Sequence, residues 1–225
     1  MNNRILSEKQ KLFIHSLPDT VLDSFYLAGG TALSAFYLGH RLSQDLDLFT
    51  DSEANMPSIE YLTSLVNRLP AVNEVRYERL FDRRIFAVTF KDSETLKVEF
   101  SSYPFRSIEK RIRAGKLMVD SLLNILTGKL FALTDRYDPK DFVDLYFAFE
   151  HKYYDGTLSD LVSRTGERFE VKGMDYLIPE RLLMAKRIGL DDLPVMIKEL
   201  DLAKMKCHFL EQSDALVKSR LSKNI

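Results

Sequence analysis

The residues of this chain best suited to phosphate-ester chemistry are two aspartates, a glutamate and a glycine turn. Asp45 and Asp47 are separated by one leucine, Glu99 sits in a later strand-like run, and Gly29-Gly30-Thr31 ends fourteen residues before Asp45. Residues two apart on a strand share a face, so Asp45 and Asp47 project together while Leu46 and Leu48 enter a core behind them. Adjacent carboxylates repel unless a positive charge lies between them, and a divalent metal fills that role. The Gly-Gly turn opens a helix whose first backbone N–H groups lack intrahelical partners and so form an anion site. Asp-x-Asp is common in surface loops and Gly-Gly is a common turn; it is their combination that is specific. A triphosphate needs backbone donors, and a pair of divalent cations about 4 Å apart needs several carboxylates on adjoining strands to serve an in-line displacement. Asp45, Asp47 and Glu99 supply three.

These groups require a particular frame. Phe25 to Ala28 reads as a short strand, and Ala32, Leu33, Ala35, Phe36 and Leu38 as one helix closed by Gly39. A second strand carries the aspartates. Residues 7–17 read as a packing helix capped by Ser7, and 57–69 as a helix stopped by Pro70. Val72–Leu80, Arg84–Lys91 and Thr95–Phe100 read as strands, with Lys91-Asp92-Ser93-Glu94 as the hairpin turn between the last two. Leu96, Val98 and Phe100 alternate with Lys97 and Glu99, which places Glu99 opposite the core. After Pro104 the pattern turns helical, with a soft boundary at 105–119 where five basic residues face one acid, suiting a solvated loop or a phosphate-contacting surface.

Residues 120–136 read as a helix apolar around much of its circumference. Lys129 within it must snorkel, pair with an acid or face a ligand cavity. Asp138 and Pro139 start the next helix, with Phe142, Leu145, Tyr146 and Phe149 as its buried stripe. Asp141 falls in its first turn, where a carboxylate favours a helix start without any catalysis. Asp144 suits an i,i+4 pair with Lys140, and Arg136, two turns from Lys129, suits the phosphates or Asp141. Arg41 is placed to brace the Asp-x-Asp loop or to reach a phosphate. Residues 157–225 read as helices broken near Gly166, Lys172-Gly173, Gly189 and Pro194. His15, His40, His151 and His208 show no ligand spacing.

With 225 residues, 45% apolar and 29% charged, the chain suits one large or two modest globular domains. Its net charge of −1 gives no general basic excess for nucleic acid, although a local patch can still serve. The start lacks a signal-like apolar segment and no run approaches a membrane span, so a cytoplasmic location is expected. The single cysteine, Cys207, excludes an intrachain disulfide framework and any cysteine-rich zinc site.

Five ordered stretches resemble the motifs of the AbiEii/AbiGii-type abortive-infection toxin nucleotidyltransferases of the DNA polymerase β superfamily. They are Leu27–Leu33, Gly39–Thr50, Lys97–Phe100, Lys129–Arg136 and Lys140–Leu145, and the resemblance spans residues 25–150. It implies an α+β fold: a nucleotidyltransferase-type mixed β-sheet flanked by helices over 1–104, then a helical domain over 105–225, with the nucleotide between them. It implies Mg²⁺ (or Mn²⁺) and an NTP, with a tRNA or other RNA end as acceptor and a cognate antitoxin as partner. Gly29, Gly30 and Thr31, with Arg41, Ser43, Lys129 and Arg136, would hold the nucleotide. Asp45, Asp47 and Glu99 would hold metal, with Glu99 nearest the attacking hydroxyl, and Asp141 would complete the site. The wider superfamily has Gly-Ser at the turn and often Asp as third carboxylate, so Thr31 brings its hydroxyl one position later and Glu99 is one methylene longer. A small-molecule nucleotidyltransferase acting on an antibiotic shares the same site, and a non-catalytic nucleotide- or antitoxin-binding module shares part of it.

Overall fold

In a computed structural model that describes residues 5–223, the chain forms two compact units. The first comprises the chain through Phe36, Leu42–Phe105 and Lys110–Ser121; the second comprises Tyr37–Arg41, Arg106–Glu109 and the chain from Leu122 onward.

In the first unit α1 (Glu8–Ser16) and α2 (Asp19–Leu22) precede β1 (Tyr26–Ala28). Next come α3 (Gly29–Leu33), β2 (Asp45–Thr50), α4 (Ile59–Asn67), β3 (Val72–Leu80), β4 (Arg83–Phe90), β5 (Thr95–Ser102), β6 (Ile112–Ala114) and β7 (Leu117–Val119). The expected helix from Gly30 to Gly39 changes character at its middle, α3 passing into a π-helical turn over Ser34–Leu38. The expected loop at 105–119 contains the β6–β7 hairpin, turned by Gly115 at a φ of 66°.

The strands form one mixed sheet ordered β3-β4-β5-β2-β1-β7-β6, parallel at β2–β5 and β1–β7 and antiparallel elsewhere. Alternation makes its two faces unlike. Leu46, Leu48, Phe86, Val88, Val98 and Phe100 are all fully buried on one face. There Phe13 of α1, Phe25 and Phe86 meet the Phe100 ring edge-on at centroid distances of 6.3, 5.4 and 6.3 Å. The opposite face carries Asp45, Asp47 and Phe49 of β2, each half-buried.

The second unit is built of α5 (Leu122–Asp135), α6 (Pro139–Glu150), α7 (Leu158–Phe169), α8 (Met174–Leu182) and α9 (Leu202–Lys223). Asp138 caps α6 through Lys140 N–H at 3.0 Å, with Pro139 at its first position. Phe142 and Phe209 meet edge-on at 5.3 Å, and Phe131 stacks on Phe169 at 4.1 Å. Gly166 lies inside α7 and does not break it: a Cβ there would stand 3.0 Å from the Val171 carbonyl, where the chain folds back at the helix end. Gly173, at a φ of 79°, makes the expected break before α8. Among the described residues no helix is long and apolar enough to cross a membrane.

Candidate active site

In the first unit the strand register gathers the three predicted carboxylates. Asp47 pairs with Glu99 and Asp45 with Lys97 across the parallel β2–β5 ladder, so all four side chains share one face. Ala28, the last residue of β1, pairs with Asp47 on the other side and leads directly into Gly29. Gly29 has a φ of 65°, and a Cβ on it would lie 2.0 Å from Asp47 Oδ2. Only glycine lets the carboxylate stand against the helix start, so the predicted anion turn and the predicted metal ligand are neighbours in space. Ala28 at the N-cap brings no capping side chain to the backbone N–H groups behind it.

The aspartate strand is held from below. The Thr31 hydroxyl, buried, donates a short hydrogen bond to the Asp45 carbonyl, so this hydroxyl braces the strand instead of facing outward. Gln10, fully buried in α1, donates from Nε2 to the Ser43 carbonyl at 2.8 Å and to the Asp45 carbonyl at 3.5 Å. Its Oε1 accepts from Ser7 N–H at 2.9 Å, closing a capping box. Helix α1, expected only to pack, thus positions the loop between Ser43 and Asp45. The Ser-x-x-Gln spacing of Ser7 and Gln10 was the available signal.

Glu99 is engaged through both oxygens in this geometry. Arg83 donates to its two oxygens at 2.6 and 2.5 Å, and Ser101 Oγ donates at 2.7 Å. Burial pushes the Glu99 carboxyl up, but the bonds and charge from Arg83 and Ser101 outweigh it and hold it below the usual range. Lys97 Nζ stands 3.5 Å from Asp45 Oδ2. Arg83 did not stand out in the sequence and Lys97 appeared there without a role, although the hairpin turn at Asp92-Ser93 fixes the pairing of Arg83 with Ser101 and so sets Arg83 diagonal to Glu99. Among the described residues no three His, Cys, Asp or Glu side chains converge as a ligand set. The donor chemistry still fits a hard divalent cation: oxygen ligands from Asp45 and Asp47 on one half-open face, with Glu99 in register beside Asp47.

In the second unit the remaining predicted residues form a buried ionic network. Lys129 Nζ lies 2.7 Å from Asp141 Oδ1 and 2.8 Å from Asp144 Oδ2. Arg136, half-exposed, reaches Asp141 Oδ2 at 3.1 Å. Arg41 binds both oxygens of Asp144, at 2.7 and 2.9 Å, and His40 Nε2 approaches the same carboxylate at 2.8 Å. The Lys140–Asp144 pair is replaced: Lys140 is exposed, whereas Asp144 is buried and turned inward to three nitrogen-bearing groups. Burial pushes the Lys129 ammonium down, but Asp144 and Asp141 more than offset it and raise its pKa. Burial likewise opposes ionisation of Asp144, and Lys129 and Arg41 hold it well below the carboxylate range. Burial lowers the pKa of His40.

The first unit thus brings together a half-open carboxylate face, a glycine-started helix and a mixed sheet. Residues 17–216 match the family described as nucleotidyl transferase AbiEii toxin, type IV toxin–antitoxin system, and the chain belongs to that family. Two solved structures from Helicobacter pylori share the fold. JHP933 is 20% identical with a TM-score of 0.61, covering 97% of this chain and 96% of its own. A protein provisionally described as a nucleotidyltransferase is 22% identical with a TM-score of 0.63, covering 98% and 99%. No curated protein matches the chain.

Proposed function

We propose that this member of the AbiEii toxin family transfers NMP from an NTP to an acceptor hydroxyl at an RNA end, tRNA among the candidates. In this reading it depends on Mg²⁺ or Mn²⁺ and works in the cytoplasm beside a cognate antitoxin. The observation that carries the reading is the juxtaposition of Asp47 with Gly29 and Glu99 on one face. Asp45 and Asp47 would hold the cation, with Glu99 as the third carboxylate. When bound, such a cation neutralises phosphate charge and raises the acidity of the acceptor hydroxyl.

The chain's own groups do the rest. Backbone N–H groups at the start of α3 bind the triphosphate, and the missing Cβ of Gly29 leaves Asp47 room beside them. Arg83 and Ser101 keep Glu99 ionised, so that it accepts a hydrogen bond from the acceptor hydroxyl. The hydroxyl oxygen bonds to the α-phosphorus, the bond from that phosphorus to the β-bridging oxygen breaks, and pyrophosphate leaves with the electron pair. The hydroxyl proton passes to Glu99 and then to solvent. Positioning and electrostatics suffice, with no covalent enzyme intermediate. Lys129 and Arg136, both in contact with Asp141, are proposed as further phosphate contacts, with Arg41 and Ser43 in the same set. Lys129 Nζ donates to Asp141 at 2.7 Å and stands 2.8 Å from the Asp144 carboxylate.

The test is incubation of the protein with each labelled NTP and total RNA, with and without Mg²⁺. Metal-dependent label on RNA, lost in Asp47→Asn, is the expected result; label on no RNA species overturns the acceptor assignment.

A further inference from the structure

The β3–β4 hairpin ends in a two-residue turn, Phe81-Asp82, beyond the last register pair Leu80 and Arg83. Two-residue hairpin turns favour glycine, asparagine or aspartate where φ is positive. Here that place is taken by Phe81, at a φ of 51°. The described non-glycine residues with positive φ are Ala71, Phe81, Ser93, Lys152 and Glu170, and Phe81 is the one large apolar side chain among them. It is also 85% exposed. Two unfavourable features, a strained backbone and a solvated ring, coincide on one residue, and such outliers cluster at binding sites.

Beside it, Arg79 and Arg84 face each other directly across the hairpin. Like charges in that relation destabilise a ladder. Neither forms an ion pair within 4 Å among the described residues, the exposed Glu60 carboxylate only sensing the Arg84 charge from a distance. Arg79 Nε reaches the Phe81 carbonyl at 3.4 Å, and Arg84 Nη1 is buried with no hydrogen-bond partner there. An anion between the two guanidiniums relieves both defects. The hairpin's other arginines are engaged, Arg76 with Glu74 and Arg83 with Glu99. Arg83, two residues from Phe81, grips the third carboxylate from one face of the sheet, while Arg84, in register with Phe100, lies on the other. A strand held at the tip thus passes over the turn from one face to the other.

We propose that this hairpin tip docks the acceptor as a single-stranded nucleic acid, one base stacking on Phe81 and a backbone phosphate lying between Arg79 and Arg84. An exposed aromatic ring flanked by arginines is how single strands are held without sequence preference. Net charge near neutrality is no obstacle, because the contact needs only a local pair of cations. The proposal rests on the nucleotidyl-transfer reading for the identity of the strand as acceptor, and its geometry stands apart from the carboxylates.

The chain has no tryptophan, so Phe81→Trp installs a unique reporter where stacking is expected. A short single-stranded RNA should quench its emission, while inorganic phosphate and phosphatidylserine vesicles should not. In the full chain, Phe81→Ala and the Arg79→Ala/Arg84→Ala pair should each weaken RNA binding about tenfold, the arginine pair also flattening the salt dependence, with NTP affinity unchanged. Phe81→Asn, which suits the turn, should lose RNA binding while melting no lower than the parent. Quenching by vesicles and not RNA, or unchanged RNA affinity in these variants, overturns the proposal. RNA bound through the hairpin without transfer from any NTP upholds the docking site and removes the catalytic reading. Transfer to RNA at the parental KM in Phe81→Ala upholds the catalytic reading and removes the docking site.

Discussion

The two charged regions of this molecule use similar residues to opposite ends. On the sheet of the first unit, Asp45 and Asp47 lie half-exposed, with Lys97 3.5 Å from Asp45 and Arg83 turned to Glu99. In the second unit, Asp141 and Asp144 are fully buried among Lys129, Arg41, Arg136 and His40. Carboxylates left half-open beside a helix start can receive a cation and a triphosphate. Carboxylates enclosed by well-placed nitrogens hold segments of chain together, because each charge is compensated within the fold. The lesson is that counting carboxylates does not find a site; asking which of them stand on a half-open face does.

That contrast is tested most sharply by removing one carboxylate from each region. Asp47→Asn should lower turnover by about 10³-fold or more, the several kcal/mol expected of a lost metal ligand, with a melting temperature at or above the parent's. A variant that stays active would end the metal-ligand assignment, and one that unfolds would make Asp47 architectural. Asp144→Ala should do the reverse, destabilising by about 3–5 kcal/mol because it leaves Lys129 and Arg41 buried without their partner. The double change Asp144→Leu/Arg41→Met should recover much of that loss in urea denaturation. If Asp144→Ala folds as well as the parent, the network is not the brace described.

Gly29→Ala comes next, since it sets stability against activity within the first region. Its Cβ would strike Asp47 Oδ2 and its φ would be strained, so about 1–3 kcal/mol of stability should be lost together with most of the activity. Arg83→Ala should have a smaller effect, near 1 kcal/mol, because Arg83 is 41% exposed and solvent screens the pair. It should also raise the Glu99 pKa. An unmoved Glu99 titration, followed by carboxylate NMR, would show that Ser101 and Lys97 are sufficient to hold it ionised.

The first-unit face was largely legible because strands have a period of two: Asp45, Asp47 and Glu99 could be put on one face before any pairing was known. The helical second unit and the structural neighbours fit the α+β expectation. What could not be read was long-range pairing. Gln10 bracing Ser43, Arg83 gripping Glu99 and Arg41 meeting Asp144 across 103 residues all depend on tertiary register, which local patterns do not encode. Lys129 shows the boundary: its apolar surroundings demanded a partner, a ligand or an escape to solvent, and only the fold shows two aspartates in contact. The π-helical turn at Ser34–Leu38 was invisible for a related reason, since its side-chain pattern is that of an α-helix.

The smallest predicted effect uses pH to separate the two regions. His40 is buried against Asp144, Arg41 and Lys129, and burial lowers its pKa below the ordinary value near 6.5. Below pH of about 6.5 the unfolded chain therefore binds a proton that the folded chain refuses, and stability falls with falling pH by at most about 1.4 kcal/mol per unit for this group. The loss ends once pH drops beneath the folded-state pKa. His208, also lowered by burial, acts in the same direction. Asp144, held well below the carboxylate range, contributes stability above pH of about 4 that is lost only as pH falls through its depressed value. Urea denaturation at stepped pH should thus show a shallow decline beginning near neutrality and a steeper one in acid. His40→Gln should reduce the first decline and leave the second; Asp47→Asn should leave the first unchanged. An equal first decline in His40→Gln and the parent would assign it to His208 and detach His40 from the stability of the network.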